Sequence, residues 1–250
     1  MEATKELTGN VALVTGATSG IGKATATALA RRGARVLVSG RDTTRGEALV
    51  AAIRADAGEA DFLQADLRDG ESVRDLARRA VELAGHVDIL INNAGVFPFG
   101  PTAETTEDAF DNAYATNVKA PFVLVGELAP KMASRGKGAI VNVSSMAGDL
   151  GQSGMALYGS SKAALNLLTK AWAAEFGPKG VRVNAVSPGP TRTEGTAVMG
   201  DGLAQLAAMA PAGHPATPDE IADAIVYLAS DRASFVHGAI LPVDGGRAAV

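Results

Sequence analysis

Tyr158 and Lys162 stand four residues apart, a spacing that puts both on one face of a helix. A free phenol titrates near pH 10 and is a poor proton carrier at neutral pH. A fixed ammonium beside it favours the phenolate and is expected to lower that value. Ser145 follows an aliphatic run, where its hydroxyl can donate a hydrogen bond to a carbonyl oxygen next to the phenol. Asn117 lies inside a long helical pattern, where an amide has low propensity and needs a reason to be present. Each has an ordinary explanation alone: a surface pair, a turn residue, a solvated amide. Brought together, they could pass a proton to or from a substrate oxygen.

The elements that must position this set read from the amino end. Val11, Ala12, Leu13 and Val14 form a short run suited to a strand buried on both faces. Gly16, Gly20 and Gly22 follow, and then an alanine-rich helix over 20–32. Strand, tight turn and helix start, in that order, aim backbone N–H groups and the positive end of a helix dipole at a phosphate. Gly16 makes the turn, Gly20 lets a pyrophosphate approach, and Gly22 lets the helix lie close to the sheet. Further strands are expected over 35–39, 61–65, 87–92, 139–143, 181–187 and 239–243. Helices are expected over 43–57, 71–84, 106–132 (bent at Pro121) and 156–176. A last helix starts at Thr217, with Pro218 and Glu220 completing a capping box. The alternation predicts one α/β domain, a Rossmann-type doubly wound parallel sheet of about seven strands with helices on both faces. Ligands of such sheets bind outside the carboxyl ends of the strands.

Composition sets the outer bounds. The chain has 250 residues, 47% of them hydrophobic, and a formal net charge of −4. That supports one sizeable core and argues against a nucleic-acid partner. There is no cysteine, which excludes disulfides and thiolate chemistry and points to a cytoplasmic protein. No signal-peptide pattern and no membrane-spanning run is read. His86, His214 and His237 lack ligand-like spacing, so no metal is expected.

With these motifs in place, the chain resembles the short-chain dehydrogenase/reductase family in its shorter single-domain branch. The resemblance runs from about Leu7 to Gly246. It rests on Thr15 to Gly22, Asp66, Asn92 to Gly95, Asn117, Ser145, Tyr158 with Lys162, Pro188-Gly189 with Thr193, and Asp244-Gly-Gly. It implies Tyr158 as the general acid or base, and Lys162 as the group that lowers its pKa and holds the nicotinamide ribose. Ser145 would stabilise the oxyanion, and Asn117 would hold a water linking Lys162 to solvent. It implies cofactor-binding roles for Gly16, Thr18, Ser19, Gly20, Ile21, Gly22, Arg41, Asp66, Leu67, Asn93, Ala94, Gly95, Tyr158, Lys162, Pro188, Gly189, Thr191 and Thr193. Asp66 would contact the adenine, Asn93 to Gly95 the adenosine side, and Thr193 the carboxamide.

Cofactor choice turns on the end of the second strand. Aligned on the family, Gly40 stands where an NAD-binding acid would be, and Arg41 can meet a 2′-phosphate. NADP(H) is therefore expected over NAD(H). Against it stand Asp42, whose carboxylate a shifted turn would bring to the ribose, and Ser19, where many NADP-binding relatives carry a second cation. Residues 96–99, 149–152 and a lid over about 190–215, rich in Met199, Leu203, Leu206 and Met209, are expected to wall a small-molecule carbonyl or alcohol site. Arg192 is a candidate for a substrate anion. Two other readings stay open. One is a 3-oxoacyl-[acyl-carrier-protein] reductase, with Lys131, Arg135 and Lys137 as a basic patch for the carrier. The other is a non-catalytic NADP-binding sensor. The helix over 156–176 shows Asn166, Thr169 and Lys170 on one stripe and apolar residues elsewhere, which predicts a homo-oligomer, a homotetramer by resemblance.

Overall fold

Aliphatic residues in both registers of every inner strand require cover on two faces, and the fold supplies it. The computed structural model describes residues 5–250. Seven strands form one parallel sheet: β1 (Val11–Val14), β2 (Arg35–Gly40), β3 (Glu59–Gln64), β4 (Ile89–Asn92), β5 (Gly138–Val143), β6 (Val181–Pro188) and β7 (Ile240–Val243). Their spatial order is β3-β2-β1-β4-β5-β6-β7, so the winding reverses between β1 and β4. Successive side chains of β1 enter different cores: Ala12 and Val14 one, Val11 and Leu13 the other.

The first core is closed by α1 (Gly20–Arg31), α2 (Thr43–Ala55) and α8 (Pro218–Ala229), through residues such as Leu29, Val50 and Ile225. The second is closed by α3 (Gly70–Ala84), α5 (Ala120–Ser134) and α6 (Ala156–Phe176), through Leu76, Leu128 and Trp172. The helix expected over 106–132 is three pieces: α4 (Glu107–Tyr114), a π turn (Ala115–Lys119) and α5. In a regular helix the N–H of residue 121 would donate to the Asn117 carbonyl; proline has none, and the wider turn sits there. The capping box at Thr217 forms, with both reciprocal hydrogen bonds present. Strand and helix ends otherwise fall within two residues of expectation, as termini do.

Between β6 and α8 the chain makes a short 3-10 turn (Ala197–Met199) and α7 (Asp201–Ala207). The two ends of this excursion are stitched together. Thr191 pairs with Ala216 as an isolated parallel bridge, and Arg192 N–H donates to the Ala216 carbonyl at 2.8 Å.

The sequence-based view of α6 is corrected. Asn166 and Thr169 point inward: both are buried, and the Thr169 hydroxyl accepts from Asn142 Nδ2 at 2.8 Å and donates to the Leu165 carbonyl. Lys170, the third member of the stripe, is exposed, and so is an apolar strip with Leu167 70% exposed beside Ala163 and Ala171. A helix-face reading from composition puts the polar stripe outward; here the second core supplies polar partners and takes Asn166 and Thr169 in. Among the described residues no helix is long and apolar enough to cross a membrane.

Candidate active site

A cleft of ≈ 480 Å³ opens along the carboxyl ends of the strands, at the reversal between β1 and β4. Its floor begins at the glycine turn. Gly16 and Gly20 have φ of +61° and +50°, which favours glycine at both. A Cβ on Gly16 would stand 2.8 Å from Ala94 Cα. A Cβ on Gly22 would strike the Gly16 carbonyl and the Asn93 amide, so Gly22 packs on the turn itself as well as serving the helix approach. Asn93 fastens this turn: its Nδ2 donates to the Thr15 and Gly16 carbonyls at 2.9 and 3.1 Å. Buried Thr15, whose Oγ1 accepts from the N–H groups of Asn93 and Ala94, completes the staple. The start of α1, in a cradle that side chains at Gly16 and Gly22 would fill, fits a dinucleotide pyrophosphate.

The adenosine end is more basic than its sequence suggests. Arg41, Arg45 and Arg68 all line the cleft. Asp42 caps α2, accepting from Arg45 N–H at 3.0 Å and from Arg45 Nε at 2.7 Å. Those bonds, the backbone one first, hold its carboxyl below the usual range. A carboxylate so committed is not offered to a ribose. Asp66 is forked by Arg68, whose side chain pulls its pKa down to about 2. Among the described residues Arg41 is the cleft arginine with no carboxylate partner. The space above Gly40 is filled by Thr18: a Cβ on Gly40 would meet Thr18 Cγ2 at 2.6 Å. Arg45 and Arg68 escaped the sequence reading because each lies one helical turn or loop step past the strand end. A search for cations within four residues of Gly40 and Asp66 would have found Arg68, and one residue further, Arg45.

The proton-transfer set assembles at the other end. Ser145 lies two residues past β5 and caps the next 3-10 turn, accepting from Ala147 N–H at 3.2 Å, and it lines the cleft together with Tyr158. Tyr158 shows one side of its ring to the cleft, where Phe97 meets it edge-on at 4.7 Å. Burial raises the phenol above its ordinary value, and the nearby Ser145 side chain works against that. This corrects the expected direction. Lys162 Nζ lies 5.8 Å from the ring centroid and donates to the Val143 carbonyl at 2.8 Å, so burial outweighs it. Burial also drops the Lys162 ammonium to about 8.

Of the catalytic and cofactor-binding residues expected from the sequence, Asn117 alone does not line the cleft. It sits behind the wall and clasps Val96. Its Oδ1 accepts from Val96 N–H at 2.8 Å, while Nδ2 donates to the Val96 carbonyl at 2.9 Å and to Ser161 Oγ at 3.0 Å. All its polar atoms are engaged by protein, so no relay water is needed to explain this buried amide.

The substrate walls are also partly reassigned. Val96 and Phe97 line the cleft as expected, with Met199, Leu203 and Leu206 from the lid. Residues 149–152 do not; Met146, Ala147 and Met155 take their place. Asp149 instead ties segments together, accepting from Asn166 Nδ2 at 3.0 Å and Ser187 Oγ at 3.3 Å. Met209 turns outward, Phe99 is 68% exposed, and Arg192 stays outside the cleft. Lys131, Arg135 and Lys137 lie at the opposite edge of the sheet, where Arg135 bonds the Val87 carbonyl and Asp88 just ahead of β4. They cannot form a patch beside Ser145 and Tyr158.

Fold and site together define an oxidoreductase built on a dinucleotide-binding sheet. Comparison with known proteins agrees. The family described as enoyl-(acyl carrier protein) reductase matches residues 16–248. The cis-4-hydroxycyclohexanecarboxylate dehydrogenase of Sinomonas cyclohexanicum is 42% identical, over 96% of this chain and 97% of its own. A solved structure of a short chain dehydrogenase/reductase family protein is 49% identical with a TM-score of 0.91, covering 98% of this chain and 100% of that one. A putative NAD(P)-dependent gluconate 5-dehydrogenase from Beutenbergia cavernae, with NADP bound at low occupancy, is 39% identical with a TM-score of 0.93, over 98% and 99%. The chain belongs to the short-chain dehydrogenase/reductase family. It is an enzyme acting on the alcohol–carbonyl pair with a nicotinamide cofactor, which sets aside the non-catalytic alternative.

Proposed function

We propose that the protein is an NADP(H)-dependent carbonyl reductase or secondary-alcohol dehydrogenase for neutral, largely apolar substrates. The observation that carries this reading is one cleft that holds Ser145, Tyr158 and Lys162 between an anion cradle on one side and apolar walls on the other. The bound cofactor supplies or accepts the hydride. Tyr158 gives a proton to the carbonyl oxygen in reduction and removes it in oxidation, within reach of the Ser145 hydroxyl that steadies the oxygen's charge. Lys162, buried and positively charged at neutral pH, favours the phenolate when the proton leaves and would hold the nicotinamide ribose. Asn117 holds the Val96 wall. The unpartnered Arg41 takes the 2′-phosphate, seconded by Arg45.

Met146, Met155, Met199, Leu203, Leu206 and Phe97 suit a compact alicyclic or aliphatic ketone, and flexible methionines allow several. A relative that oxidises a hydroxycyclohexane ring is consistent with such walls. The carrier-protein substrate implied by the matching family's description is the second reading; the distant placement of Lys131, Arg135 and Lys137 counts against it. The segment over 190–215 acts as the lid. The apolar strip of Phe122, Leu167, Leu168 and Ala171 fits a second copy of this chain across a two-fold axis, within a cytoplasmic homotetramer. A monomeric mass in sedimentation at micromolar protein would refute the assembly.

The deciding test is NADPH consumption with alicyclic ketones against a 3-oxoacyl thiolester, in the wild type and Tyr158→Phe. Turnover of ketones should fall by ~10²–10⁴-fold in the mutant with NADPH binding retained. A mutant within a few-fold of wild-type kcat would place the proton elsewhere.

A further inference from the structure

Helix α1 begins without a cap of its own. Among the described residues Ser19, at the N-cap, makes no side-chain capping bond, and the first turn holds no acidic residue. Its anion comes from 174 residues away: Glu194 Oε2 accepts from Gly20 N–H at 2.9 Å. The neighbour of Glu194 seals the contact. A Cβ on Gly20 would meet Thr193 Cβ and Cγ2 at 3.1 Å. Thr193 is fixed in turn, its N–H donating to Thr196 Oγ1 at 2.9 Å, and that hydroxyl donates to the Thr191 carbonyl at 2.7 Å. The base of the lid thus lies across the amino end of α1 and places a carboxylate on the donor that the glycine turn aims at an anion.

We propose that Glu194 is a resident anion of the pyrophosphate cradle, a latch that a dinucleotide must displace to bind. This rests on the reading of the cleft as a nicotinamide-cofactor site. A carboxylate and a pyrophosphate oxygen cannot share the one Gly20 N–H, and two anions at that point repel. Binding therefore costs the Glu194 bond. The apparent affinity is lowered by the fraction of molecules in which the latch is closed. The latch also links the two halves of the cleft. Glu194 is followed closely by Met199, Leu203 and Leu206, which wall the substrate end. Releasing Glu194 frees the base of the segment that carries them, so arrival of the cofactor resets the substrate pocket.

The test compares the full-length wild type with Glu194→Ala and Glu194→Gln. Glu194 is exposed and makes no core contact, so both variants should fold. Thermal unfolding without cofactor and NADPH titration by fluorescence are the readouts. Loss of a cap and of a charge at a helix start predicts a lower unfolding midpoint for the cofactor-free Glu194→Ala variant. It also predicts NADPH affinity roughly threefold to tenfold tighter than wild type. Glu194→Gln, which keeps an acceptor without the charge, should fall between. Equal or weaker NADPH binding by Glu194→Ala, with the wild type binding normally, would overturn the latch and leave the cofactor reading standing. Failure of wild type and variants alike to bind NADPH or NADH at millimolar concentration would overturn both.

Discussion

Asn117 separates two accounts of this site, and its replacement by alanine tells them apart. The side chain is 1% exposed and makes three hydrogen bonds of 2.8–3.0 Å, two to the Val96 backbone and one to Ser161. A typical intramolecular hydrogen bond contributes about 0.5–1.5 kcal/mol net, and a buried group left unsatisfied costs about 1–3 kcal/mol. Alanine here removes all three bonds and strands the Val96 N–H and carbonyl, a loss of about 3 kcal/mol. Against an ordinary domain stability of about 5–15 kcal/mol that is a large fraction. Asn117→Asp should be worse at pH 7, since a buried carboxylate oxygen would replace the amide donor facing the Val96 carbonyl. Urea unfolding at one fixed protomer concentration measures both, because any subunit contact enters the apparent value. Turnover should fall too: Val96 and Gly95 wall the cleft, and misplacing a site by about 1 Å can cost ~10²-fold. If Asn117→Ala were within about 0.5 kcal/mol of wild type while kcat collapsed, Asn117 would be acting on the chemistry through water and the clasp would be wrong.

Two further perturbations follow from the charges. Arg41→Ala should erase most of the preference for NADPH over NADH in kcat/KM, because a charge-assisted bond to a 2′-phosphate contributes about 1.5–3 kcal/mol. Arg45→Ala should erase less, its charge being shared with Asp42; the reverse ranking would refute the assignment. Lys162 is depressed to about 8 from an unperturbed 10.5. Below pH 8 folded and unfolded chains both hold its proton, and the buried ammonium costs stability. From about pH 8 to 10.5 only the unfolded chain holds it, so stability from this group rises with pH, by about 3 kcal/mol at most. Wild-type minus Lys162→Met unfolding free energy should climb across that window, and a flat difference would show that the ammonium is not desolvated.

Much of this molecule is written locally. A two-faced aliphatic strand, a glycine turn and an alanine-rich helix are each fixed by near neighbours, through side-chain period and backbone sterics. The order in which they alternate then forces a parallel sheet, and a parallel sheet puts its ligands at the carboxyl ends of its strands. That is why Gly16, Ser145, Tyr158 and Lys162, which line one cleft, can be picked out from the chain alone, and why the capping box at Thr217 formed as read.

What the sequence could not decide depends on which way a side chain points and on what arrives from far away. Asn166 and Thr169 read only as part of a polar stripe on α6, and it is Asn142, on β5, that draws Thr169 inward. Lys162 looked like the group that sets the phenol until its ammonium was found on the Val143 carbonyl, with burial governing both titrations. Lys131, Arg135 and Lys137 looked like a patch by the site, yet the sheet puts them at its other end. Glu194 carries no local signal at all, because its partner Gly20 is 174 residues away. Short-range order follows from the chain's own sterics, whereas these contacts exist only once packing has fixed every neighbour's direction.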